Sequence, residues 1–182
     1  MITNHLISIG TFEGFSWIRC EGKGSFVNSP TVKTFADERI AAGESCLVVD
    51  LGTCSGMDST FMGTLAGMAA RLAALGRGSL HIAASSERNR RSLEDLGLDF
   101  LMEINPPAAV WRGHEDAIRN DLKAPPDPGA LGQIQRARHV LDAHRILTGM
   151  NDQNSREFED VVTLLENELA GKEKLAPKDN PQ

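Results

Sequence analysis

The stretch from Cys46 to Gly76 limits what this chain can fold into more than any other. Cys46-Leu47-Val48-Val49 is a continuous apolar run, the mark of a strand buried on both faces. The run closes on a carboxylate, Asp50, and Gly52-Thr53-Cys54-Ser55-Gly56 follows as a small-residue loop. Met57-Asp58-Ser59-Thr60 then leads into a long helical segment. Phe61, Leu65, Met68, Leu72 and Leu75 recur there at steps of three or four, so one face is apolar. Its other positions are small: Gly63, Ala66, Gly67, Ala69 and Ala70. Small residues predict close packing on a sheet, at a cost in helix propensity for each glycine.

The flanking pattern extends this unit into an α/β domain. His5–Ile9 and Phe15–Cys20 read as two strands of a hairpin turning at Gly10–Gly14, with 21–24 as loop. Ser29-Pro30 is a helix start, a hydroxyl cap followed by proline, and Gly43 is its stop. Ser79–Ala84 is a further strand, and Ser85-Ser86 caps a helix that ends at Gly97. Phe100–Ile104 is expected as a short last strand, and Ala108–Leu122 as one more helix. The fold class expected is therefore α/β, a mixed four- to five-stranded sheet with helices packed on it. The crossovers give parallel neighbours and the first hairpin an antiparallel pair.

Pro125-Pro126-Asp127-Pro128-Gly129 is the clearest linker in the sequence. Residues 1–122 are read as the domain, 123–132 as the linker, 133–171 as a helical hairpin extension and 172–182 as a disordered tail. Ile134, Ala137, Val140, Leu141 and Leu147 mark the first helix of the extension. Phe158, Val161, Val162, Leu165 and Leu169 mark the second as an amphipathic stripe, with Asn154 as cap and Glu157 in the capping-box position. Such a hairpin can cap its own domain, join two copies as a homodimer, or engage a partner helix.

Composition excludes several functions. The net charge of −6 is split evenly between residues 1–105 and 106–182, and no basic stripe appears beyond Arg88, Arg90 and Arg91. With no Tyr and two Trp as well, nucleic acid is not an expected partner. No apolar run is long enough for membrane insertion. The N-terminus lacks the basic and apolar regions of a signal peptide, and the three cysteines have no CxxC spacing. A cytoplasmic protein is expected.

Catalytic and ligand motifs are weak. Gly52–Gly56 is Gly-x-x-Ser-Gly, not the Gly-x-Ser-x-Gly of a nucleophile elbow, and no Lys-Ser/Thr follows it as in a P-loop. His81 reads as a packed core histidine. His139 and His144 are spaced for different faces of a helix, not for a metal pair. Cys54 has no basic neighbour, the usual state of an inert thiol. No catalytic residue, metal or cofactor is assigned.

What does stand out is Ser59 at a helix start. The first amides of a helix lack partners and its dipole end is positive, so a phosphate on Ser59 would be tolerated there. Asp50, followed by Met57-Asp58-Ser59-Thr60-Phe61-Met62-Gly63-Thr64-Leu65, resembles the signature of STAS domains, specifically the bacterial anti-sigma factor antagonists. Leu80–Ala84 and then Arg91, Leu93, Leu96, Gly97, Leu98 and Phe100 extend the resemblance over roughly residues 4–122, the size of one ordinary domain.

The resemblance implies a non-enzymatic switch. The unmodified antagonist binds an anti-sigma factor with a histidine-kinase-like serine kinase domain and so frees a sigma factor for transcription. The kinase phosphorylates the serine after the aspartate, and a metal-dependent serine phosphatase resets it. Carried over, Ser59 is the phosphoacceptor with Thr60 as alternative. Asp50, Met57, Asp58, Ser59, Thr60 and Phe61 are the partner-binding residues. The polar, small loop 52–56 departs from the more hydrophobic stretch of many members. STAS domains also serve as docking modules without phosphorylation, in stress-sensing assemblies and beside lipid-transport ATPases.

Overall fold

The computed structural model describes residues 6–176 apart from 77, 128 and 130. The expected strand start at His5 and the end of the expected tail, 177–182, lie outside the described residues. Five strands form one sheet in the order β1 (Ile7–Phe12), β2 (Phe15–Gly24), β3 (Cys46–Met57), β4 (Ser79–Ala83) and β5 (Glu103–Ile104). β1 and β2 are antiparallel and every later neighbour is parallel, the mixed sheet expected. The parallel steps are bridged by α1 (Ser29–Ala41), α2 (Ser59–Ala74) and α3 (Glu87–Asp95).

Strand alternation sorts the core into two clusters. Ile18, Leu47, Val49, Leu51, Leu80 and Ile82 pack with Val32 and Phe35 of α1 and with Phe61, Leu65 and Leu72 of α2. On the other face Phe15, Trp17, Val48 and Ala83 meet Trp111 and Ile118. The segment that supplies Trp111 is not the single helix expected over 108–122. Turns wind around the inward-pointing indole, Gly113 takes φ +84°, and only α4 (Glu115–Asn120) is helical.

The hairpin strands are longer than their apolar runs. β1 continues through Gly10–Phe12, leaving Glu13-Gly14 as the turn, and Gly14 has φ +86°. The expected loops 21–24 and 52–56 are not loops. They pair with each other as a two-stranded ribbon, from Glu21 with Thr53 through Gly24 with Met57, with one register shift just before it, between Arg19 and Glu21, and one inside it, between Gly22 and Lys23. Small polar residues look like a loop in sequence, yet a ribbon wet on one side needs only backbone pairing. The last strand is shorter than expected: after Gly97, at φ +73°, the chain makes a 3₁₀ turn over Leu98–Phe100, and Phe100 is exposed.

Two further helices, α5 (Gln133–Thr148) and α6 (Asp152–Leu175), form an antiparallel pair tied by Arg138–Glu173 (2.6 Å) and Arg145–Glu166 (3.0 Å). α6 is helical to Leu175, past residue 172, where the tail was expected to begin. Its cap is Asn151, which accepts from the Asn154 amide; Asn154 is instead buried, its side chain donating to the Leu96 carbonyl at 2.9 Å. Leu147 and Phe158 join the main core cluster, so the pair forms an outer layer on α1 and α2. None of the described helices is long and apolar enough to cross a membrane.

Candidate functional site

The β2–β3 ribbon delivers two helix starts side by side. Beyond Gly24 the chain turns through Ser25–Asn28 into α1, and beyond Met57 it enters α2. Asp58 joins them. Its Oδ1 accepts from the Phe61 amide at 2.8 Å, capping α2, and its Oδ2 accepts from the Phe26 amide at 2.9 Å. The Asp58 amide donates to the Gly24 carbonyl at 2.9 Å. One carboxylate therefore fixes both the first turn of α2 and the loop before α1. Asn28 secures that loop from the other side, accepting from the Ser25 amide and donating to the Lys23 carbonyl. It also takes the cap position of α1 expected of Ser29, which is instead the first helical residue.

The loop exposes what the sequence did not single out. Phe26 and Val27 are 53% and 66% exposed, a large apolar pair beside Asp58. The only cue in sequence was two bulky apolar residues next to the glycine-rich stretch 22–24.

The expected partner-binding residues divide into two sets. Met57, Asp58 and Ser59 are half-buried at the end of the ribbon. Phe61 has no exposed surface, because Gly24 crosses its ring so closely that a Cβ there would sit 2.8 Å from the ring. Thr60 is buried as well, and its carbonyl accepts from the Thr64 hydroxyl. Asp50 is apart from the rest. It points to the Trp111 side of the sheet, and β3 runs on to Met57, roughly 20 Å further along the strand. Its carboxylate has no exposure and is held by Arg119 (2.8 and 3.2 Å), by the Trp17 indole (3.3 Å) and by the Gly52 amide (2.9 Å). Hydrogen bonding to the Asp50 carboxylate pushes the Arg119 guanidinium above its ordinary pKa.

Ser59 keeps part of its surface, but its hydroxyl is engaged. Its hydroxyl lies 2.8 Å from His144 Nε2 on α5. His144 Nδ1 is 2.7 Å from the Val140 carbonyl. A carbonyl only accepts, so Nδ1 carries the proton and, in the neutral ring, Nε2 accepts from Ser59. The same arrangement recurs at α1: the Ser29 hydroxyl lies 2.7 Å from His139 Nε2. His139 and His144 do fall on different sides of α5, as their spacing requires. Both are engaged because α5 lies across the starts of α1 and α2.

Glycines bring α5 that close. A Cβ at Gly63 would lie 2.4 Å from the Ala143 carbonyl oxygen, and one at Gly67 would lie 2.8 Å from the Ile146 side chain. The small positions of α2 thus serve two neighbours. Ala66 and Ala69 are buried in the core, whereas Gly63 and Gly67, expected against the sheet, receive α5. Between α1, α2 and α5 lies a cavity of about 260 Å³ walled by Thr64, Gly67, Met68, Ala143 and Ile146.

The remaining candidates take structural places. His81 accepts from the Trp111 indole at 3.0 Å and pairs with Glu103 at 2.8 Å. Arg90 and Arg91 pair along α3 with Glu94 and Glu87, and Arg88 lies beside Gly56. Cys54 is not isolated: a hydrogen bond with buried Cys20 pulls its pKa down and pushes that of Cys20 up. Among the described residues no group of His, Cys, Asp and Glu could hold a metal ion.

The fold is similar to that of an anti-sigma factor antagonist from Mycobacterium paratuberculosis, at a TM-score of 0.50 and 20% identity over 62% of this chain and 92% of that one. It is also similar to a protein from Thermotoga maritima assigned as an anti-sigma factor antagonist, at 0.52 and 17% identity over 62% and 94%. No curated protein sequence matches the chain. A family model for the STAS domain matches residues 7–110, more than half of the sequence, and covers the whole sheet and the Asp58–Ser59 helix start. The chain belongs to the STAS domain family.

Proposed function

We propose that this protein is a phosphorylation-controlled binding switch, an anti-sigma factor antagonist that docks on an anti-sigma factor when Ser59 is unmodified. The observation that carries the reading is the Asp58-Ser59 start of α2. Asp58 is committed to two backbone amides and fixes the geometry, leaving the neighbouring hydroxyl as the chemically variable group. The exposed Phe26-Val27 pair beside it supplies apolar contact area for a partner.

In this reading the partner carries a histidine-kinase-like serine kinase domain, and a metal-dependent serine phosphatase restores the hydroxyl. The protein acts in the cytoplasm and affects transcription through the sigma factor its partner releases. Phosphate on Ser59 adds roughly −1.5 to −2 charges at pH 7. Beside the Asp58 carboxylate that charge repels an acidic partner surface and desolvates poorly on docking. Ser59, rather than the buried Thr60, is the acceptor.

Peptide mapping after incubation with the cognate kinase and ATP tests this. Phosphate on the peptide containing Ser59, lost in Ser59→Ala, is the expected result. Modification confined to residues outside 58–60 rejects it.

The His144–Ser59 contact favours one alternative, a STAS docking scaffold that works without phosphorylation in a stress-sensing assembly or beside a lipid-transport ATPase. Equal partner binding by Ser59→Asp and Ser59→Ala distinguishes it.

A further inference from the structure

The domain and its C-terminal helices meet at the very residue proposed as the switch. Three independent features hold the α5–α6 pair to the domain. His139 and His144 take the hydroxyls of Ser29 and Ser59, the first residues of α1 and α2. Ala143 and Ile146 lie against Gly63 and Gly67; a side chain at Gly63 would collide with the Ala143 backbone, and one at Gly67 would displace the end of the Ile146 side chain. The far end of the pair is anchored separately, by Leu147 and Phe158 in the core and by Asn151 and Asn154 on the Leu96 carbonyl. The turn between α5 and α6 is thus held by core packing and two asparagine hydrogen bonds, and the part of α5 over the helix starts by glycine packing and two histidine–serine hydrogen bonds.

We infer that the α5–α6 pair is an autoinhibitory cap: α5 holds the Ser59 hydroxyl on His144 and must move off α2 before Ser59 can be modified. The inference rests on the reading of Ser59 as the switch and adds its regulation. A kinase must bring a phosphoryl group in line with the hydroxyl oxygen, and the side of Ser59 that faces α5 is filled by the imidazole. The docked cap therefore slows modification, and anything that draws α5 away, a partner surface included, exposes the switch.

Gly63 provides a lever that leaves the domain core alone. Gly63→Ala places its methyl group against the α5 backbone, on the side of α2 away from the sheet, and alanine is the better helix former. The full chain is made as Ser59→Cys, with and without Gly63→Ala, and treated with N-ethylmaleimide. Labelling at position 59 is followed by peptide mass, which separates it from Cys20, Cys46 and Cys54. Fluorescence of Trp17 and Trp111, both buried on the opposite sheet face, reports whether the domain stays folded.

Labelling of the capped chain is expected to be slow, and Gly63→Ala to speed it by about tenfold, since overpacking a tight contact commonly shifts an equilibrium by a decade or more. His144→Ala, which removes the hydrogen bond without adding bulk, provides a second variant and is expected to speed labelling less. Equal labelling rates in the capped chain and in folded variants overturn the cap. The kinase is tested in parallel on Ser59-containing chains. Faster phosphate incorporation in Gly63→Ala supports the cap as regulator, and equal incorporation overturns that role. No incorporation in either chain rejects the phosphoswitch, while the labelling still decides whether α5 covers Ser59.

Discussion

The two faces of the molecule are closed in different ways. On one, the segment around Trp111 and α4 closes the sheet directly. Trp111 meets Trp17 edge to face at 5.3 Å, and Arg119 is doubly bonded to the fully buried Asp50. On the other, α1 and α2 already cover the sheet, and α5 and α6 add a further layer. Removing the first covering strands a buried carboxylate and two indoles. Moving α5 exposes glycines, alanines, two serine hydroxyls that water can serve, and, towards its C-terminal end, the buried Leu141 and Leu147. The first belongs to the fold, and the second is built to be displaced. An unmet charge in the interior is costly, whereas a hydroxyl exchanges its imidazole for water at little net cost.

The largest effect expected from this contrast is at Trp111. Trp111→Ala should cost about 4 kcal/mol in global unfolding, measured by denaturant titration, because it empties the centre of the smaller core. Arg119→Ala should cost about 3 kcal/mol, the low end of the scale for breaking a buried pair because Arg19 stays 3.9 Å from the Asp50 carboxylate, and should leave amide exchange in α5 unchanged. A loss below about 1 kcal/mol would place Asp50 among exposed pairs and blur the contrast.

Asn154→Ala should be smaller and local. Losing its hydrogen bond to Leu96 costs about 1–2 kcal/mol, seen as faster amide exchange in α5 and α6 with little change in the sheet. If it destabilises the whole chain as much as Arg119→Ala does, the outer layer is part of one cooperative unit.

Acidification should have the smallest effect, and only on the outer layer. Burial, helped by Lys33 and opposed by Asp142 and Asp58, holds the His139 pKa below its ordinary 6.5. The undocked state then binds more protons than the docked one, so docking is fully supported above 6.5 and weakens as pH falls through that value. Amide exchange in α5, corrected for intrinsic rates, should be faster at about pH 5.5 than at about pH 7.5. Slower exchange at the lower pH would contradict the assignment of neutral His139 as the docked form.

Much of the architecture was legible in sequence because burial writes a pattern. Cys46–Val49 signals a sandwiched strand, Phe61–Leu72 a helix with one apolar face, and the glycines at 14 and 97 the chain reversals. Asp58-Ser59 was legible as a helix start because capping is local chemistry between residues three apart. The ribbon of 21–24 with 53–57 was not, since its small polar side chains carry no alternation and its pairing is between backbones. The roles of Gly63, Gly67, His139 and His144 were missed for another reason. Each depends on which elements become neighbours across more than seventy residues, and glycine on a helix does not say whether it meets a sheet or a second helix. Asp50 was legible as a strand end only because its apolar run stops there; the strand itself continues through residues that look like loop.

The most direct test of the account is a binding titration of the full chain, Ser59→Ala and Ser59→Asp against the kinase that modifies Ser59. Ser59→Ala removes the hydroxyl that His144 holds and adds no charge, so it should bind at least as tightly as the unmodified chain. Ser59→Asp should bind at least tenfold more weakly, because it adds a carboxylate beside Asp58 on the docking face. Equal affinity for all three chains would contradict the claim that charge at position 59 controls the partner.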